Sequence, residues 1–259
     1  MSDTPTSPTR PGQDDEPELS PSGAPIYRYE DVEPAPFELA SGDDDTISAI
    51  SDHIERHLGA VKGVYHEIIS DKVHLDVHVV APSADFPFYA LITSGMSDRP
   101  MNVPPEAPAD EAPRFAELCI LLPSTWNIPA DPTDISEAFE DENVYWPIRW
   151  LKMLARLPHE YNTWLGSGHT IPNGEDAEPF SDETEQGCML LLTALNLPEE
   201  FQTLEISPDK KVHFYTLYPI YREEMDLKMA EGVDALLDKF DEYGIGDVLD
   251  LARPNVALV

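Results

Sequence analysis

Residues 143–171, NVYWPIRWLKMLARLPHEYNTWLGSGHTI, couple the strongest helical pattern in the chain to its least ordinary loop. Three of the four tryptophans, Trp146, Trp150 and Trp164, lie here. Pro147 is the residue type pre-set for a first helical position, with no amide to leave unpaired, so the helix is expected to begin there. At about 100° per residue, Arg149, Lys152 and Arg156 share one narrow stripe. Ile148, Trp150, Leu151, Met153, Leu154, Ala155 and Leu157 cover the remainder, the pattern of a mostly buried helix. Pro158 is expected to stop it. The loop that follows, HEYNTWLGSGHTIPNG, concentrates ionisable, aromatic and glycine residues, a composition that goes with function.

On the N-terminal side the apolar period changes to two from Val64. VYHEIIS, a turn at residues 70–72 and VHLDVHVVAP read as a hairpin with Val73, Leu75, Val77 and Val79 on one face and His74, Asp76 and His78 on the other. FYALITSGMS and FAELCILLPS are two more strands, separated by a Pro-rich loop over residues 98–113, and a polar insert at residues 131–143 precedes the central helix. Beyond the loop come CMLLLTAL, a short strand near residues 203–206, and VHFYTLYPI. Ile47, Ile50, Ile54 and Leu58 recur at helical spacing, with Asp45 or Thr46 as cap and Gly59 as stop. YREEMDLKMAEGVDALLDKFDEY carries Met225, Leu227, Leu237 and Phe240 among charges, and Gly232 divides it into two helical pieces. The sum is an α+β fold: a mostly antiparallel mixed sheet with a central packed helix and terminal helices.

Residues 1–45 are rich in Pro, Ser, Thr, Asp and Glu, with acidic clusters at 14–16 and 43–45. Such a segment is expected to be a disordered acidic tail, anchored at most by Ile26, Tyr27, Tyr29 and Phe37, with residues 46–259 forming one domain. Sixteen Lys plus Arg against fifty Asp plus Glu give a net charge of −34. That charge repels nucleic acid and anionic membranes and attracts cationic partners. Adaptation to a salty cytoplasm or plain solubility is the alternative meaning. The first residues have neither a basic start nor an apolar run, and the run from Met189 to Leu195 is too short to cross a bilayer, so a soluble cytoplasmic protein is expected. Cys119 and Cys188, each in an apolar run, are expected to be buried, reduced thiols.

His74, Asp76 and His78 alternate along one strand face. A straight strand cannot converge three alternate side chains on one ion, so a hydrogen-bonded polar face is expected there rather than a metal, and no cofactor is implied. His159, Glu160 and His169 invite a hydrolase or ligand-binding reading. Neither a nucleophile elbow nor an HExxH helix accompanies them, and the alternative is structural: Glu160 neutralising Arg156, and His169 bonded to backbone. Arg149, Lys152 and Arg156 offer either a receptor for an acidic segment or partners for the chain's own carboxylates. Asp98 and Arg99 offer a loop ion pair or a point of recognition.

WPIRWLKMLARLPHEYNTWLGSGHTIPN resembles the signature segment of the bacterial branch of the Suppressor of fused family. HLDVHVV, FYALITSGMSDRPMNVP, FAELCILLPSTW, FYTLYPIYREEMDLKMAEGVDALL and RPNVA resemble the same family, in order, over about Val64 to Ala257. The resemblance implies a protein-binding module. For the bacterial branch it implies an immunity protein neutralising a polymorphic toxin, for which a basic toxin domain is the natural partner; a small-ligand binder or hydrolase-like enzyme is the alternative. His74, Asp76, Asp98 and Arg99 match the family pattern. With Arg149, His159, Glu160, Tyr161, Trp164 and His169 they make the candidate partner- or ligand-binding set. The expected arrangement folds the loop over the strand face, gathering His74, Asp76, His159, Glu160 and His169 into one cluster shielded by Trp164.

Overall fold

Sequence period alone predicts strands with one dry and one wet face, but the sheet here is covered on both. The computed structural model describes residues 18–28, 42–66, 72–105, 107, 113–129 and 140–259. Strands β1 (Glu18–Leu19) and β2 (Pro25–Ile26) pair antiparallel in a small hairpin. Its Ser22 amide donates to the Met229 carbonyl at 3.1 Å, so this part of the N-terminal stretch has a fixed contact with the domain. Residues 1–17 and 29–41, including Tyr29 and Phe37, lie outside the described residues, as do most of the insert at 131–143 and much of the Pro-rich loop.

Helix α1 (Asp44–Leu58) begins earlier than expected, because Asp43 is its N-cap and accepts the Thr46 amide. The acidic run 43–45 thus belongs to the helix start, where carboxylates complement the positive end of the helix dipole. Ile50, Ile54 and Leu58 are buried, and Gly59, at φ +101°, ends the helix.

The remaining elements are β3 (Val61–His66), β4 (Asp76–Val80), β5 (Phe88–Ser94), β6 (Phe115–Pro123), α2 (Glu142–Glu160), β7 (Thr170–Pro172), β8 (Gln186–Leu192), β9 (Thr203–Ser207), β10 (Lys210–Tyr221), α3 (Arg222–Glu231) and α4 (Val233–Tyr243). Among the described residues eight strands form one sheet in the order β3-β4-β5-β6-β10-β8-β7, with β9 beside β10. The β6–β10 pair is parallel and the others are antiparallel. One face carries Val77, Val79, Leu91, Leu118, Ile120, Met189 and Leu217 against Trp150, Leu151 and Leu154 of α2. The other carries Val80, Ala90, Ile92, Leu121 and Phe214 against Ile50, Ile54 and Leu58 of α1. Burial on both faces explains the near-continuous apolar run of β6. Leu236 and Phe240 of α4 close a third cluster over Leu190 and Ile220. Gly232, at φ +100°, separates α3 from α4 as the sequence suggests. Cys119 and Cys188 are free and buried. No described helix is long and apolar enough to cross a membrane.

Helix α2 departs from expectation at both ends. It does not start at Pro147. Asp141 is the N-cap, its carboxylate accepting the Asn143 amide at 3.0 Å, and Pro147 lies inside the helix. The capping carboxylate and the acidic first turn outweigh the single amide that a proline removes. Nor does Pro158 stop it. The helix runs to Glu160, where Asn162 turns left-handed at φ +49° and the Thr163 amide reaches back to the Pro158 carbonyl at 2.9 Å, the main bond of a Schellman ending. The apolar face is as read, except that Met153 faces outward.

Candidate functional site

The family-like polar residues converge best on the turn that follows β5. Gly95 takes φ +104°, and a Cβ there would sit 1.8 Å from the His74 carbonyl oxygen, so only glycine lets the turn pass so close to the segment before β4. The 3-10 turn Met96–Asp98 then wraps around the Glu117 carboxylate. Glu117 is fully buried and accepts from the Gly95 amide at 3.0 Å, the Ser97 amide at 2.9 Å, and the Ser97 and Thr93 hydroxyls at 2.6 Å each. Burial pushes its carboxyl up to about 7, against the pull of those donors. Sequence reasoning passed over Glu117. The available signal was a lone acid inside an otherwise apolar strand, which demands partners.

Around this turn stand several of the candidates. Asp98 accepts the Asp43 amide at 3.1 Å, tying the turn to the start of α1, and burial raises its carboxyl above the usual range. Lys210 backs the same junction through the Thr46 hydroxyl at 2.9 Å. His159 reaches the turn from α2: its Nε2–H donates to the Met96 carbonyl at 2.9 Å, and burial holds the imidazole below its ordinary pKa, hence neutral. Arg99 and Lys72 add positive potential at His159. On the neighbouring strand Asp76, only 4% exposed, lies 2.9 Å from Nδ1 of His66 and 3.5 Å from Nε2 of His74. The face bearing His74, Asp76 and His78 is therefore largely sealed. Burial drives His78 down to about 4, and its Nε2 bonds the Ser94 hydroxyl at 2.9 Å.

The other candidates lie elsewhere, and the single cluster expected from sequence is not formed. His169 directly precedes β7, whereas Asp76 begins β4, five places away in the sheet order. At about 4.8 Å per strand that is roughly 24 Å along the sheet. Trp164 packs edge-on against His169, ring centroids 4.3 Å apart, and against the core under α2. Burial lowers His169 to about 4, helped by Lys228. Glu160 is exposed near Arg156, and half-buried Tyr161 caps α2 by donating its amide to the Leu157 carbonyl at 3.0 Å. Arg149 pairs with Glu142, its Nε at 2.8 Å, and Asp76 is the carboxylate acting on Lys152. The basic stripe is served by the chain's own acids. Among the described residues no group of three or more His, Cys, Asp or Glu side chains is arranged to hold a metal ion.

A second buried charge was also missed. Glu224, fully buried at the start of α3, meets Arg253 (8% exposed) in a two-pronged pair with 2.7 Å between Nη1 and Oε1. The same carboxylate accepts the Tyr221 and Val256 amides at 3.0 Å each. The Arg253 guanidinium stacks 4.9 Å from the Tyr221 ring centroid.

Comparison with known proteins agrees with this geometry. Residues 71–254 match the family model described as Suppressor of fused protein (SUFU). No curated protein matches the chain significantly. Among solved structures, a SUFU homologue from Neisseria gonorrhoeae aligns with TM-score 0.58 and 18% identity over 82% of this chain and 97% of that one. The Sufu–Fu complex aligns at TM-score 0.54 and 15% identity, covering 81% of this chain and 91% of that one. Drosophila Suppressor of fused aligns at 0.52 and 14% identity, covering 81% of this chain but 50% of the Drosophila chain. With the family model matching residues 71–254, most of the chain, and nearly the whole bacterial homologue aligned to it, this chain belongs to the Suppressor of fused family.

Proposed function

We propose that this chain is a protein-binding module for a basic partner, acting in the cytoplasm as the immunity protein of a polymorphic toxin system. In this reading residues 46–259 form the binding domain, joined by the start of α1 at Asp43–Asp45 and by the docked 18–28 hairpin, and the rest of residues 1–45 is an appended acidic segment. A family relative solved as the Sufu–Fu complex supports the binding role. The observation that carries the choice of partner is a predominantly acidic side of the molecule, on which carboxylates far outnumber the cations Arg222 and Lys239. Glu175, Asp176, Glu178, Asp182 and Glu183 are exposed in the loop between β7 and β8. Arg222 at the head of α3 joins that loop to the helix pair by bonding Asp176 at 2.9 Å. Along α3 and α4, Glu223, Asp226, Glu231, Asp234, Asp238, Asp241 and Glu242 are exposed as well. Such a field attracts a domain built to bind phosphates, a toxin nuclease for example, and competes with nucleic acid for its site.

The test is co-purification with the product of the neighbouring gene, followed by association rates across ionic strength. Long-range steering predicts an on-rate falling by about 10- to 100-fold between roughly 20 mM and 500 mM salt, with a much smaller change in off-rate. A neutral or acidic partner, or an on-rate indifferent to salt, would return the charge to a role in solubility.

A further inference from the structure

Resting on the basic-partner reading, we propose that Leu195 is a preformed anchor that inserts into an apolar socket on that partner, with Glu199 and Glu200 as its acidic rim. Leu195 is 68% exposed, yet the backbone that presents it is fixed from three directions. Asp247, itself 2% exposed, turns a carboxylate oxygen onto the Leu195 amide at 2.6 Å and the Asn196 amide at 2.9 Å. Its other oxygen takes the Asn196 side-chain amide. From β10 the Tyr218 hydroxyl donates to the Thr193 carbonyl at 3.3 Å, and Gln202 donates to the Ala194 carbonyl at 3.3 Å.

Solubility alone does not call for this arrangement. Ala194 and Leu197 point inward and complete the core beside Phe201, whereas Leu195, as large as Leu197, points out. A buried carboxylate spent on ordering two amides under a bare leucine removes the entropy that a flexible loop loses on binding, which is what distinguishes an anchor from a stray exposed leucine. Glu199 and Glu200, exposed on the adjoining 3-10 turn, give the socket's rim its sign: basic. Apolar contact at the centre sets the off-rate, and the charged rim sets the on-rate.

The experiment measures binding of the full chain to the basic domain that co-purifies with it, for wild type, Leu195→Ala, Leu195→Met and the double variant Glu199→Lys, Glu200→Lys. Leu195→Ala is expected to raise Kd by about tenfold or more through koff, while its melting temperature stays within about two degrees. Leu195→Met should restore most of the affinity, and the lysine pair should lower kon. If wild type binds and Leu195→Ala binds equally well, the anchor is overturned while the basic-partner reading stands. If wild type binds no basic domain, that reading fails and the anchor with it. If Leu195→Ala instead dissociates a homodimer, the socket belongs to a second copy and the proposal is likewise overturned.

Discussion

Arg253→Ala is expected to destabilise the protein by about 3–5 kcal/mol, because it leaves the Glu224 carboxylate fully buried without its cation. The junction of β10 with α3 and the C-terminal segment meet at this pair. Glu224 holds the Tyr221 and Val256 amides, Arg253 holds the Pro219 carbonyl at 3.1 Å and the Pro254 carbonyl at 3.0 Å, and the Tyr221 hydroxyl bonds the Arg253 carbonyl at 2.6 Å. Truncation thus strands two carbonyls as well as a charge, and removes a cation from above the Tyr221 and Phe240 rings. At about 2–4 °C per kcal/mol for a domain of this size, the melting temperature should fall by roughly 6–20 °C. Urea unfolding of wild type and variant checks it, and a loss under about 1 kcal/mol would mean the pair is largely hydrated. Replacing both partners with apolar residues should recover only part of the loss. The charge penalty disappears in such a variant, but the Tyr221 and Val256 amides still lack their acceptor.

The clamp also shows how far the sequence could be read. REEMD and RPNVA were visible as family-like pieces, and Gly232 as the break between α3 and α4, because those signals are local. That Glu224 and Arg253, 29 residues apart, face each other is not local. It depends on where the chain returns after α4. Sheet order is hidden for the same reason. Each strand announces itself by composition, but the parallel pairing of β10 with β6 joins Thr216 to Cys119 across the intervening helix and loops. Without that order His169 and Asp76 could be imagined as neighbours, since both sit among polar residues in family-like motifs. With it, they belong to opposite parts of the sheet. His159 is different: its helix crosses the sheet and ends over the 96–98 turn, so it does join Asp98 and Arg99. At α2 the two prolines do not decide where the helix begins and ends. Pro147 and Pro158 are conspicuous letters, while the determinants that prevailed, the Asp141 cap and the left-handed Asn162, are ordinary polar residues whose effect depends on backbone geometry.

Glu117→Gln should make the protein more stable than wild type at pH 8 and nearly equal to it at pH 4.5. Burial raises the Glu117 carboxyl from its ordinary 4.5 to about 7, so between those values the folded state holds a proton that the unfolded chain releases. Stability from this group is therefore fully present below about 4.5 and is lost as the pH rises through 7. At about 1.4 kcal/mol per pH unit the loss is about 3 kcal/mol. The local hydrogen bonds accommodate either form. When the carboxyl is protonated it donates to the Thr93 hydroxyl, which accepts the Leu118 amide at 2.8 Å and turns its own proton to the Leu118 carbonyl at 3.3 Å. A glutamine amide can donate along the same path while its oxygen keeps the Gly95 and Ser97 donors. His78 and His169 work in the opposite sense: each is lowered to about 4, so their stability is present above 6.5 and is lost as the pH falls through 4. They titrate alike in both proteins, so the difference between variant and wild type isolates Glu117. Urea unfolding from pH 4.5 to 8 should show that difference growing from near zero to about 3 kcal/mol, with its steepest rise between 5 and 7. A difference that stays flat across that range would place a charged carboxylate in the turn at every pH, held by its four donors without penalty.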